Sequence, residues 1–133
     1  MSKEAPVIMV VEDEELLLRA ITQKLKLSGF GVISSESVKQ ALDYLATLPE
    51  LPDAVWLDYY LKDSNGLEFM KKLRENVAWA NIPVIVVSNS ASPDKVSTML
   101  ALGAKKYLLK AEYKLTDLIE TFRTFINEND TAK

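Results

Sequence analysis

Five short apolar runs mark the chain, each followed by a stretch whose apolar residues recur every three or four positions. Val7–Val11 (VIMVV) predicts a buried strand, and Glu14 to Leu27 predicts a helix stopping at Ser28-Gly29. Gly31–Ser35 predicts a weaker strand. Ser37 and Gln40 have the spacing of a capping box, in which each side chain satisfies a free N–H of a helix start; that helix runs to about Leu48. Ala54–Leu57 (AVWL) is a third strand ending at Asp58, and the loop YYLKDSNG leads to a helix from about Gly66 to Asn76. Pro83 precedes the strand Val84–Val87, where proline is tolerated at a strand's first position, and Ser88 ends it. Ser92-Pro93 suits an N-cap and first helical position, with Gly103 as the stop. Lys106–Leu109 predicts a last strand ending at Lys110, and Leu115, Leu118, Ile119, Phe122 and Ile126 line one face of a final helix.

The order is strand–helix repeated five times. Strands this continuously apolar are buried on both faces, which predicts an α/β fold: a parallel sheet with right-handed crossovers and helices on both faces. Ligands of such sheets sit beyond the carboxyl ends of the strands. No repeat or linker divides the chain, so one domain is expected over 1–133, with an ordered core of about 7–126 and loose ends at Met1–Pro6 and Asn127–Lys133.

Composition removes whole classes of chemistry. The 133 residues are 48% hydrophobic and 26% charged, enough to build a core. A net charge of −3 argues against direct nucleic-acid binding, which needs a basic face. With no Cys and no His there is no disulfide, thiolate or imidazole chemistry. The first apolar run is too short for a signal peptide and no run reaches membrane length, so a soluble cytoplasmic protein is the expectation.

The residues that close the strands carry the candidate chemistry: Glu12 and Asp13 after the first, Asp58 after the third, Ser88 after the fourth, Lys110 after the fifth. Taken singly, each has an ordinary explanation. Asp13 would cap a helix, Glu14 and Glu15 would complement its dipole, and Asp58, Ser88 and Lys110 would be loop residues. Together they are costly, because two carboxylates about 4 Å apart repel by roughly 4 kcal/mol at an effective dielectric of 20. A cation relieves that cost. Oxygen ligands without His or Cys select Mg²⁺, or Mn²⁺ or Ca²⁺ in its place. Mg²⁺ leaves one acid free as a nucleophile toward a phosphoryl group, with Lys110 and Ser88 available to its oxygens.

In this order the pieces VVEDE, VWLDYYLKDSNGLE, VIVVSNSA and ALGAKKYLLKA resemble the receiver domain of two-component response regulators, over roughly Val7 to Ile126. The resemblance implies a five-stranded parallel sheet of order 2-1-3-4-5, the flavodoxin-like receiver fold. It implies Asp58 as the phosphoacceptor, and Mg²⁺ held by Glu12, Asp13, Asp58 and the backbone carbonyl of Tyr60. Lys110 and Ser88 would act on the phosphoryl group, whose donor would be a phosphohistidine on a partner kinase or phosphotransfer protein. Ser88 and Tyr107 would be the switch residues. The face made by the fourth helix, last strand and last helix would then change its affinity for a downstream protein or a second copy. Such a domain is a signalling switch that catalyses only its own aspartyl phosphorylation and dephosphorylation.

Several positions depart from the family pattern. Ala111 stands where a cis-proline usually follows the active-site lysine, so a trans Lys110–Ala111 bond and a rearranged loop are expected. Asn89 replaces a small residue, Lys62 a common proline, and Tyr60 is bulky; Tyr60 and Asn89 are expected to crowd an acyl phosphate and alter its lifetime. Trp56 and Tyr59 are read as structural. A stand-alone receiver and the receiver of a longer regulator both fit the sequence, NENDTAK suiting the start of a linker. The alternatives weighed are a phosphorylation-independent pseudo-receiver, a flavin binder and a carboxylate-nucleophile phosphatase. The acids at Glu12–Glu15 oppose the flavin binder, which needs a phosphate loop there, and Tyr60 opposes the phosphatase, which needs a second acid at that position.

Overall fold

A computed structural model of the chain describes residues 5–131. Its elements are β1 (Val7–Val11), α1 (Glu15–Leu27), β2 (Gly31–Ser35), α2 (Val38–Thr47), β3 (Ala54–Leu57), α3 (Gly66–Glu75), β4 (Val84–Ser88), α4 (Pro93–Ala101), β5 (Lys106–Leu109), a 3₁₀ turn (Lys110–Glu112) and α5 (Leu115–Thr131). The strands form one sheet in the order β2-β1-β3-β4-β5, with every neighbouring pair parallel, as the alternation and the resemblance predict.

Period-two alternation explains why the inner strands are apolar throughout. Met9 and Val11 of β1, Val55 and Leu57 of β3, and Val84 and Val86 of β4 face one layer, where they pack with Val38, Leu45, Phe69, Leu73 and Met99 from α2, α3 and α4. Ile8 and Val10, Ala54 and Trp56, and Ile85 and Val87 face the other, against Leu18, Ile21 and Leu25 of α1 and Leu118, Ile119 and Phe122 of α5. Trp56 stacks on Phe122 with ring centroids 5.2 Å apart and an interplanar angle of 5°, a packing role in keeping with its structural reading. Burying each large side chain of these layers contributes about 1.5–3 kcal/mol. β2 lies at an edge of the sheet and is only half-buried, which is why its sequence pattern is the weakest.

The helix starts follow their capping residues. Ser37, Asn65 and Ser92 accept through their side chains from the N–H groups of Gln40, Glu68 and Lys95. The Ser37–Gln40 box is shifted by one residue, since Gln40 Oε1 accepts from the N–H of Glu36 at 2.7 Å. Asp63, in the loop after β3, supplies a second cap to α2 by accepting from the N–H groups of Val38 (3.1 Å) and Lys39 (3.0 Å). Gly103 ends α4 at φ 101°. There Arg74 binds the carbonyls of Leu102 (2.8 Å) and Gly103 (3.1 Å), tying the end of α4 to α3.

One expectation needs correction, and one ordinary explanation falls away. Asn127–Lys133 is not a loose end over the described residues, because α5 continues through Asn127 to Thr131. Once a docked face nucleates a helix, each further residue adds a backbone hydrogen bond at little cost, whatever its polarity. The expected loose residues 1–4 and 132–133 lie outside the described residues. Asp13 does not cap α1: the N-cap position is Glu14, which makes no side-chain capping bond.

Candidate functional site

Ladder bonds carry β1 and β3 one residue past their ends. The N–H of Glu12 donates to the carbonyl of Ser35 at 3.0 Å, and that of Asp58 to the carbonyl of Val11 at 3.0 Å. Both acids are therefore fixed by the sheet, and both are buried, Glu12 at 1% and Asp58 at 6% exposure. Asp13 follows at the turn into α1 and is half-buried. Carboxylate oxygens of Glu12, Asp13 and Asp58 lie within 4.8 Å of one another.

Lys110, the first residue past β5, reaches into this cluster. Its Nζ donates to Glu12 Oε1 at 2.8 Å and to Asp58 Oδ2 at 3.3 Å. The second oxygen of Glu12 accepts from the N–H of Glu14 (3.1 Å), and Oδ1 of Asp58 from the N–H of Tyr59 (2.8 Å). Burial, then the charge of Glu12, push the Asp58 carboxyl up to about 6, against the opposing pull of Lys110. Burial pulls the Lys110 ammonium down, but its hydrogen bond to Glu12 and the charge of Asp58 outweigh this and hold it above the usual lysine value. One ammonium faces three acids, so the cluster retains an excess of negative charge.

That donor set fits a hard divalent cation: three carboxylates close enough to share one ion, with no His or Cys. Glu12, Asp13 and Asp58 are the side chains that would hold it.

Ser88 ends β4, fully buried, with its hydroxyl 3.5 Å from the N–H of Ser90. Asn89 beside it is exposed. Tyr107 is half-buried, and its phenol donates to the carbonyl of Ser90 at 2.8 Å, so the ring is held toward the β4–α4 segment; burial raises its pKa. No described peptide bond is cis, so Lys110–Ala111 is trans as expected, and the chain leaves the lysine through the 3₁₀ turn. Tyr59 is buried and Tyr60 is 49% exposed at the rim.

Residues 8–123 match the family model described as the response regulator receiver domain. The chain belongs to that family. Among curated relatives it is 31% identical over 103 residues to the two-component response regulator ORR7 of Oryza sativa subsp. japonica, covering 77% of this chain and 49% of the relative. It is 36% identical over 104 residues to the KDP operon transcriptional regulatory protein KdpE of Escherichia coli K12, covering 77% of this chain and 44% of the relative. The chain thus spans about half the length of these two relatives. The receiver domain of a CheY-like protein from Methanospirillum hungatei JF-1 superposes with a TM-score of 0.87 at 22% identity, over 97% of this chain and 99% of that one. The phosphorylated cyanobacterial phytochrome response regulator RcpA superposes with a TM-score of 0.77 at 23% identity, over 91% of each chain. These likenesses establish the receiver fold. No helix among the described residues is long and apolar enough to cross a membrane.

The structure brings together Glu12, Asp13, Asp58 and Lys110, all anticipated at strand ends. Lys95 is a rim residue that the sequence did not disclose: its Nζ lies 4.5 Å from the ring centroid of Tyr60 and 5.4 Å from that of Tyr59. A lysine in the first turn of a helix carries no signal of the loop it will cover.

Proposed function

We propose that this receiver domain accepts a phosphoryl group on Asp58 from a phosphohistidine of a partner kinase or phosphotransfer protein, with Mg²⁺ bound, and thereby switches a protein–protein interaction face. The observation that carries this reading is the buried Asp58 carboxylate, 3.3 Å from Lys110, in a cluster with Glu12 and Asp13. In the transfer an Asp58 oxygen forms the new O–P bond as the donor's P–N bond breaks. The electron pair stays on the imidazole, which takes a proton. Lys110 answers the charge on the phosphoryl oxygens, and Ser88 donates its hydroxyl to one of them. Mg²⁺, held by Glu12, Asp13, Asp58 and the carbonyl of Tyr60, would neutralise the charge that gathers as the phosphate meets three acids. Tyr60 and Asn89, both exposed, would stand at the rim and alter water access and so the lifetime of the acyl phosphate.

The output face of this reading is α4, β5 and α5, with Ser88 and Tyr107 as the switch. Breaking the bond from Tyr107 to Ser90 frees the ring to turn inward, and the partner on that face is a downstream protein or a second copy. That the relative RcpA has been solved in a phosphorylated form supports the chemistry. The single domain over 1–133 and a cytoplasmic setting belong to the same reading.

The test is intact mass after incubation with Mg²⁺ and acetyl phosphate, beside Asp58→Asn. One added phosphoryl group in wild type and none in the variant is the expected outcome. No addition to wild type defeats it and leaves a phosphorylation-independent interaction module.

A further inference from the structure

We propose that Lys95 is a latch across the mouth of the site, a positioning residue that limits how fast a phosphodonor and water reach Asp58. This inference rests on the reading of Asp58 as the phosphoacceptor. Lys95 sits in the first turn of α4, where its N–H is held by the Ser92 hydroxyl at 3.3 Å. Its ammonium reaches over the β3–α3 loop to the faces of Tyr60 (4.5 Å) and Tyr59 (5.4 Å). The two rings meet edge to face at 5.0 Å. They are the two residues that follow Asp58, and the N–H of Tyr59 donates to Asp58 Oδ1 at 2.8 Å.

Lys95 therefore joins the start of α4 to the loop that carries the acceptor. From the opposite flank, the phenol of Tyr107 holds the carbonyl of Ser90 at 2.8 Å. Tyr107 thus fastens the β4–α4 segment at Ser90, while Lys95 fastens the start of α4 to the β3–α3 loop. Among the described residues no acid forms an ion pair with Lys95. Asp58 is only 6% exposed; on this proposal reactants reach it between the loop under Lys95 and the β4–α4 segment. A cation–π contact at an exposed rim shifts an opening equilibrium by roughly two- to five-fold, the scale of a rate-setting latch. Opening would speed phosphorylation and hydrolysis alike, because both need the same entrance.

The experiment measures phosphorylation by acetyl phosphate and subsequent loss of the acyl phosphate in wild type, Lys95→Met, Lys95→Arg, Tyr60→Leu and the Lys95→Met/Tyr60→Leu double variant. Lys95→Met and Tyr60→Leu are each expected to speed both steps about two- to five-fold. The double variant should be no faster than either single, and Lys95→Arg should restore wild-type rates. A Lys95→Met variant that matches wild type or is slower overturns the latch, as does a Lys95→Arg variant changed as much as Lys95→Met. A wild type that takes no phosphoryl group at all defeats the acceptor reading itself, and the latch with it.

Discussion

Lys110 and Glu12, 98 residues apart in the chain, meet through a 2.8 Å charge-assisted hydrogen bond between a half-buried ammonium and a buried carboxylate. With Asp58 at 3.3 Å on its other side, the lysine is the internal counter-charge of the site. Truncating it to Lys110→Met leaves two buried carboxylates without their cation. Removing one partner of a buried pair costs about 3–5 kcal/mol, because the remaining charge stays desolvated. Urea unfolding without divalent cations should show a loss of that order, and added Mg²⁺ should recover part of it. A loss below about 1 kcal/mol would mean that the acids are better solvated than their burial indicates.

Asp58→Asn should act in the opposite direction on the metal-free protein. The Asp58 carboxyl titrates at about 6 in the fold against an ordinary value of 3.8, raised by burial and then by Glu12. Because the folded value lies above the unfolded one, the associated stability is fully present below the unfolded value and is lost as pH rises through the folded one. The loss falls between roughly pH 4 and 6 and amounts to about 3 kcal/mol at its plateau. The neutral amide avoids it, and Glu12 keeps its bond to Lys110. Stability of the variant minus that of wild type should therefore climb across this window and level off above it. A difference that is flat with pH in the absence of divalent cations would contradict the pKa and its cause.

How far the sequence reaches into this site follows from the kind of interaction. Glu12, Asp58, Ser88 and Lys110 were legible because a parallel sheet delivers every strand end to one edge, and each of them closes a continuous apolar run. Their convergence needed only topology. Lys95 over Tyr60 was not legible, since that contact depends on how one loop lies against the first turn of α4. The caps that Asp63 gives to α2 and the bonds from Arg74 to Leu102 and Gly103 were equally hidden: each links a charged side chain to a backbone group 24 to 29 positions away and follows no period. The continuation of α5 past Ile126 was missed because polar residues at a helix end show no amphipathic pattern while still extending its backbone bonds.

If the carboxylate cluster holds Mg²⁺, the ion should stabilise the fold by mass action, by about 2.7 kcal/mol at one hundred times its dissociation constant. Asp13 is the discriminating residue, because it joins the cluster without touching Lys110. Asp13→Asn should remove most of the Mg²⁺-dependent rise in melting temperature. Glu14→Gln and Glu15→Gln should retain it, since both residues are exposed and outside the cluster. Equal losses in all three variants would show that the ion responds to the overall charge of this end of the sheet and not to a defined set of ligands.

Gly66 fixes the loop that carries Asp58. Its N–H donates to the carbonyl of Tyr59 at 2.6 Å, and a Cβ at this position would lie 3.1 Å from the Asp58 carbonyl oxygen and 3.2 Å from Tyr59 Cα. Both neighbours are backbone, so neither can turn aside; the start of α3 or the acceptor loop must shift. Gly66→Ala should cost about 1–3 kcal/mol, in line with overpacking elsewhere in protein interiors, and should slow phosphorylation by acetyl phosphate because Asp58 moves relative to Lys110. Gly29→Ala is the control. Gly29 has φ 97° with nothing within 4 Å of an added Cβ, so its replacement strains only its own backbone, by about 1–2 kcal/mol. The two variants should lose comparable stability, but only Gly66→Ala should lose phosphorylation rate. Equal rates would mean that the loop absorbs the methyl without displacing the acceptor.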